Sequence, residues 1–445
     1  MGRESASEAG VSSDAVQPPD RRRRFERLTR PSIWEGIGPG VVTGAADDDP
    51  SGIATYSQTG AAFGYQTLWT LWLTFPLMVA IQYVCALIGR ATGKGLAANI
   101  RSQYPAPVLA VIVVLLFVAN VINLAADIGA MGEAVRLIVG GPAIVWAVTM
   151  AALALVLLIQ LSFHSYSRLL KYLTLSLFAY AGTLFFVQLP WGEILSATFW
   201  PRISWDSRYL TAIVAIFGTT ISPYLFFWQA SHEVESQKEA PGEKPLLRAP
   251  RQGEKQLRRV KWDTVIGMTI SNLIAFCIML TAAAVLHRHG LTKIESATQA
   301  AQALRPVAGS AAFFLFAAGI IGTGMLAVPT LAGSAAFAIA ETFRWPKGLD
   351  KRLYQATGFY GIVILGTALG VALNFTPINP IDALYWSAVI NGVIAGPLMI
   401  MIMLLVGSGR VMGKFAASPL LRVAGWTATV AMIVLAAAML VRLKV

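Results

Sequence analysis

Residues 38–60 set three consecutive carboxylates, Asp47, Asp48 and Asp49, at the end of a small and apolar run, and follow them with Pro50-Ser51-Gly52. A second amphipathic run begins at Ile53. A continuous membrane helix does not accommodate that sequence at mid-length. Proline removes a backbone donor and glycine relaxes the chain, so the pattern predicts a helix that breaks at Asp49 and restarts after Pro50. Irregular backbone survives at membrane depth only where it is buried in protein or lines a cavity. Unpaired carbonyls beside a carboxylate make a cation site, and intramembrane carboxylates default to function. The competing reading is an acidic loop between two helices; the short flanks favour the broken helix.

The membrane setting follows from composition. Of 445 residues, 56% are hydrophobic and only 13% charged, which describes a polytopic membrane protein. A net charge of +12 would point to nucleic acid in a soluble chain. Here Lys and Arg fall between apolar runs, as the positive-inside rule requires of cytoplasmic loops, and no nucleic-acid partner is expected. Cys85 and Cys277 both lie inside apolar runs, with no disulfide framework or zinc spacing. Residues 1–32 are polar, carry Arg21-Arg22-Arg23-Arg24 and have no apolar core. They are expected to form a disordered cytoplasmic tail, not a cleaved signal peptide.

Counting about 20 apolar residues per crossing predicts eleven spans within a transporter domain at about 33–442. The first is the broken one, about 33–62; the others start near Thr67, Val108, Pro142 and, for the fifth, somewhere before its end at Pro190. Trp191, Trp200 and Trp205 then read as an interfacial segment. The sixth span, about 209–230, contains Phe217-Gly218-Thr219-Thr220-Ile221-Ser222-Pro223-Tyr224, a second apolar helix with small polar residues and a proline at its middle. The charged stretch 232–261, rich in Pro and Gly, is expected to be a mobile cytoplasmic loop. Five more spans follow, with a surface amphipathic helix expected at about 291–307 and the eleventh span at about 420–442. Basic loops at 90–101, 164–171, 232–261, 342–352 and 407–422 alternate with loops at 60–66 and 374–381 that lack Lys and Arg and loops at 136–142, 191–208 and 287–308 that hold a few. The alternation places the N-terminus inside and the C-terminus outside a plasma or inner membrane.

The two broken spans are the first and the sixth. A repeat of five spans inverts its second copy, so the chain is expected to be all-α, with repeats at about 33–190 and 208–406 and one extra helix. Breaks at matching places in two inverted halves point to a transport site near the bilayer midplane.

These residues resemble the natural-resistance-associated macrophage protein (NRAMP) family of divalent-metal transporters. Gly38-Pro39-Gly40, eight residues and then Asp49-Pro50 match its first-span signature, and Gln58 with Gly60 and the sixth-span proline agree. The resemblance implies a LeuT-like inverted repeat. It also shows departures. The family's Asp-Pro-Gly-Asn reads Asp49-Pro50-Ser51-Gly52, and its Met-Pro-His reads Ser222-Pro223-Tyr224. A second family histidine corresponds to Gln229, and the third-span acids linked to proton movement correspond to Asn123 and Ala126, with Asp127 one place on. This pattern is similar to the NRAMP-related magnesium transporter branch. Ligand chemistry points the same way: thioether sulfur favours transition metals, whereas magnesium takes oxygen and keeps much of its water.

The expected ion site therefore holds Asp49 as the main ligand, with Thr219 and Ser222 oxygens and the space left at Gly52. Asp49 as a helix cap, and Thr219 and Ser222 as small residues at a helix contact, are the plain alternatives. Asp47, Asp48, Ser51 and Thr220 are expected around the site, and Tyr224 and Gln229 along an inner path. Asn120, Asn123 and Asp127, three and four residues apart, share one helix face and read as the lining of a water path or as interhelical hydrogen bonds. The expected activity is Mg²⁺ uptake by alternating access without obligatory proton coupling, with Mn²⁺ as a further cargo, no resident cofactor, and a monomer or weak oligomer in lipid. A proton-coupled Mn²⁺/Fe²⁺ transporter, an amino-acid permease and an intramembrane aspartyl enzyme are the rivals. The enzyme needs two carboxylates converging from separate helices, and only Asp127 is available to meet Asp49.

Overall fold

The computed structural model describes residues 38–160, 175–201 and 203–443, which form helices and turns with no strand among them. The first span is split into α1 (Pro39–Asp47) and α2 (Pro50–Phe63). Then come α3 (Leu68–Thr92), α4 (Leu96–Gln103), α5 (Ala106–Val139) and α6 (Ala143–Gln160). Short helices α7 (Phe178–Thr183) and α8 (Trp191–Phe199) lead to the second split span, α9 (Ser207–Thr220) and α10 (Pro223–Glu239). The chain finishes with α11 (Gly253–Val285), α12 (Ala312–Phe343), α13 (Thr357–Leu373), α14 (Pro380–Gly407) and α15 (Pro419–Leu443).

Both breaks fall where the sequence placed them, and for the same local reason. The residue before a proline is pushed to extended backbone, and proline suits the first position of a helix. Asp49 (φ −69°, ψ 171°) and Ser222 (φ −77°, ψ 133°) are extended, and Pro50 and Pro223 open the next half-helix. Proline alone does not suffice: Pro76, Pro329 and Pro397 lie inside continuous helices. What distinguishes the first break is that Asp49 caps the restarted helix through the Gly52 amide.

Glycine contacts let the broken spans approach their neighbours closely. A Cβ on Gly44 would collide with the Gly267 carbonyl, and one on Gly267 with the Gly40 carbonyl, so α1 and α11 meet backbone to backbone. Gly218 of α9 is pressed in the same way against Ala388 and Gly392 of α14. Helix α5 runs beside α6, α12, α13 and α14, which carries its polar face to the break in the first span. Trp72, Val111, Val114 and Leu273 stay exposed on the outside, as side chains facing lipid do. Trp191, Trp200 and Trp205 are exposed around α8, in keeping with an interfacial segment.

Every expected span except the fifth is present as an apolar helix or helix pair. Residues 161–174, which hold the start of the fifth span, and residues 1–37, which hold the tail, lie outside the described residues. The expected amphipathic helix at 291–307 is instead a series of short helical turns over 297–311, tucked in through Ala297, Ala300, Ala301 and Leu304. The expected mobile loop at 232–261 also needs correction. It is helical to Glu239 and again from Gly253, and its centre is packed: Leu246 is buried, and the Leu246 and Leu247 amides donate to the Arg90 and Ala91 carbonyls at 3.3 and 3.1 Å. Three of its charges, Glu233, Glu243 and Arg259, are in ion pairs. Arg90, wholly buried, pairs with Glu233 at 3.2 Å and with Glu243 at 2.8 Å, and Glu243 also meets Arg259 at 3.2 Å.

Candidate functional site: the junction of the broken helices

Four half-helix ends converge on Asp49. Helices α1 and α9 end beside it, bringing carbonyls and the negative ends of two helix dipoles, while α2 and α10 begin there. Asp49 Oδ1 accepts from the Gly52 amide and from Ser51 Oγ, each at 2.8 Å. Its Oδ2 accepts from Asn123 Nδ2 at 3.0 Å, and Tyr224 Oη lies 3.1 Å away while also donating to the Ala46 carbonyl at 2.9 Å. The Asn391 amide lies 3.5 Å from Asn123 Oδ1. One carboxylate thus gathers side chains from α2, α5 and α10.

Gly52 opens into the same space. A Cβ there would stand 3.2 Å from Thr219 Oγ1 and 3.5 Å from Asp49 Oδ1. Thr219 Oγ1 is buried without a hydrogen-bond partner, as are both oxygens of Asp127. Asp127 lies within electrostatic reach of Asp49. Thr219, Gly52 and Asp127, chosen from sequence, therefore surround Asp49 together with Ser51, Asn123 and Tyr224.

The other candidates are placed differently. Ser222 Oγ turns back on its own chain, toward the Gly218 and Thr219 carbonyls at 3.0 and 2.6 Å. Thr220 Oγ1 meets Tyr56 Oη at 3.0 Å. Asp47 Oδ2 accepts from Ser271 Oγ at 2.6 Å, and Asp48 Oδ1 lies 3.3 Å from the same hydroxyl, while Asp47 Oδ1 has no partner. Gln229 Oε1 accepts from Thr43 Oγ1, joining α10 to α1. Asn120 is drawn away to α12, donating to the Leu331 carbonyl and Ser334 Oγ at 2.8 and 2.7 Å, the interhelical role that was its alternative.

Sequence reasoning missed three partners. Ser271 and Tyr56 lie among other polar residues of their helices, Asn272 beside the one and Thr55 and Ser57 beside the other, and no spacing singles them out. Asp263 falls between the charged stretch and the seventh span and was not singled out, yet its carboxylate caps α1 by accepting from the Gly38 and Gly40 amides at 3.0 and 2.6 Å. Asp47, Asp48, Asp49 and Asp127 are at most 3% exposed, so this conformation closes the junction to solvent. Among the described residues, no three of His, Cys, Asp and Glu converge as a metal centre. A cation held here takes hydroxyl, carbonyl or water oxygens beside carboxylate, a hard donor set.

Comparison with known proteins agrees with this architecture. The chain is 27% identical over 401 residues to the divalent metal cation transporter MntH of Klebsiella pneumoniae (strain 342), covering 88% of this chain and 90% of that protein. Its fold matches the crystal structure of the Eremococcus coleocola manganese transporter with a TM-score of 0.70 at 18% identity, covering 95% of this chain and 89% of that one. MhsT in complex with L-phenylalanine matches with a TM-score of 0.58 at 13% identity, over 91% of this chain and 98% of that one. The inverted-repeat fold of LeuT-like transporters, expected above, is the fold of this chain. The model of the natural resistance-associated macrophage protein-like family matches residues 40–442, nearly all of the apolar chain. The chain is a member of the NRAMP family.

Proposed function

We propose that this protein carries divalent metal cations through a cell membrane by alternating access, with Mg²⁺ as its principal cargo, Mn²⁺ as a second, and no obligatory proton coupling. The observation that carries the reading is Asp49, fixed at the meeting of four half-helix ends among Ser51, Gly52, Asn123, Thr219 and Tyr224, none of which offers sulfur or imidazole. Oxygen donors suit a hard cation that keeps part of its water. Named activities of the relatives, divalent metal cation transport and manganese transport, support the cargo class. Membership of a transporter family sets the aspartyl enzyme aside. The N-terminus is placed inside and the C-terminus outside, from the distribution of Lys and Arg, and the working unit is a monomer or weak oligomer.

The test is uptake into proteoliposomes, with Mg²⁺ and Mn²⁺ run in parallel and a pH probe in the lumen. Both ions should enter, lumenal pH should hold, and Asp49→Ala should abolish uptake while the protein remains inserted and folded. Uptake that survives Asp49→Ala would refute the site. The second reading, a proton-coupled Mn²⁺/Fe²⁺ transporter, is favoured by one feature, the buried Asp127 without a partner; stoichiometric acidification of the lumen would establish it.

A further inference from the structure

Asp49 is better supplied with donors than a naked ligand would be. Oδ1 already accepts two bonds and Oδ2 one from Asn123, while the single Tyr224 hydroxyl proton is shared between Oδ2 and the Ala46 carbonyl; an ionised carboxylate offers about four acceptor positions in all. Asp127, on α5, is the reverse case. It is 0% exposed, no side chain donates to either oxygen, and its polar neighbours are the Ser51 backbone amide, too far for a well-formed hydrogen bond, and the Asp49 carboxylate. No Lys or Arg forms an ion pair with either carboxylate among the described residues. Burying a bare carboxylate costs several kcal/mol of lost hydration, so a carboxyl kept at this depth is met by a cation or holds a proton until one arrives.

An independent group marks the same space. Thr219 Oγ1 comes from a different broken span, is equally buried and equally unpartnered, and faces the opening left by Gly52 beside Asp49 Oδ1. A carboxylate and a hydroxyl without partners therefore flank a carboxylate whose orientation is locked.

We infer that Asp127 is a direct ligand of the transported dication, facing Asp49 across the junction, with Thr219 Oγ1 as a neutral third ligand. This rests on the reading of the chain as a divalent-cation carrier. The charges of the two carboxylate ligands are matched by one dication, whereas a monovalent ion leaves this pair negative beside the further buried carboxyls Asp47 and Asp48; charge balance thus favours dications before size or softness enters. Asp49 supplies a fixed face and Asp127 the free oxygens. Return of the empty carrier then needs water or some other cation at Asp127. The proton is one occupant among several, which is why proton movement need not accompany every ion.

The experiment measures Mn²⁺ binding to the purified full-length protein by calorimetry at fixed pH, for the parent, Asp127→Asn, Asp127→Glu and Asp49→Asn, with thermal unfolding of each as the folding control. Asp127→Asn should lose affinity by about 100-fold or more, beyond the usual effect of a residue that only orients a ligand, without loss of thermal stability. Asp127→Glu, which keeps the charge, should retain most of the affinity, and protects the test if the Asn variant fails to fold. Anomalous scattering from bound Mn²⁺ should place the ion within coordination distance of Asp127. Unchanged affinity in Asp127→Asn, with only the pH dependence of uptake altered, would overturn the inference and make Asp127 a proton carrier. A parent that binds no Mn²⁺ or Mg²⁺ at all would instead overturn the transporter reading on which the inference stands.

Discussion

Arg90→Met removes the cation from a buried network, and its cost can be worked from the geometry. Arg90 Nε lies 3.2 Å from Glu233 Oε2, with both side chains 0% exposed. Its second pair, to Glu243 at 2.8 Å, involves a partner that is 22% exposed. Methionine fills much of the same volume, so little packing is lost. What remains is Glu233, a carboxylate with no water and no counter-charge, and breaking a buried pair in that way costs about 3–5 kcal/mol. Loss of the more exposed pair adds at most about 1 kcal/mol. The expected destabilisation is therefore about 4 kcal/mol, nearly all of it from Glu233. A double variant, Arg90→Met with Glu233→Leu, removes both charges and should recover most of it. Unfolding of the purified chain in detergent, followed by tryptophan fluorescence, gives the relative stabilities. An Arg90→Met protein as stable as the parent, or a double variant no better than the single, would refute the reasoning.

Two further perturbations separate the broken helices from their surroundings. Gly52→Asn places a Cβ 3.2 Å from Thr219 Oγ1 and adds an amide oxygen to the ion space, so the Mn²⁺-to-Mg²⁺ uptake ratio should rise, by about tenfold or 1.4 kcal/mol. Ser222→Met mainly removes a hydroxyl bonded to the Gly218 and Thr219 carbonyls; it should cost about 1 kcal/mol of stability and move that ratio less than Gly52→Asn does, and parallel uptake assays compare the two. In the connection from α10 to α11, deleting 240–242 should leave uptake unchanged and lower the melting temperature only slightly, because the segment's links to the rest of the chain are few, the Gly242 carbonyl accepting from Gln252 Nε2 at 2.9 Å. Extending the deletion through Leu246 should lower the melting temperature, since that segment carries the Glu243 pairs and the buried leucine.

Both breaks were legible because the cause is local: a residue before proline is barred from the helix, and small polar neighbours make no attempt to continue it. Asn123 and Asp127 were legible as a polar face in an apolar helix, and α5 passes beside the break, so they reach Asp49. Asn120 belongs to the same face one turn away, and there the facing helix is α12; periodicity does not say where along a helix the neighbour changes. Ser222 was read correctly as lying at the break, but the direction of its hydroxyl depends on carbonyls freed by the break itself. Arg90 was the least legible residue. Sequence makes it a solvated charge in a basic turn, and its burial is created by Glu243, 153 residues later, folding back over it. A charge-rich stretch looks mobile when its partners are distant in sequence, since nothing local reveals that the charges cancel.

The contact between α1 and α11 bears on how such a carrier opens. Their backbones touch through Gly40, Gly44 and Gly267, and Asp263 of α11 holds the two leading amides of α1. Peeling the nine-residue α1 away by itself would leave those amides bare and open a seam with no side chains to fill it. The lower-cost motion keeps the seam shut and takes both helices as one rigid body. Any swing then transfers its hinge to Asp48 and the extended Asp49, so the segment proposed to grip the ion is also the pivot, and loading and movement act on the same few torsions.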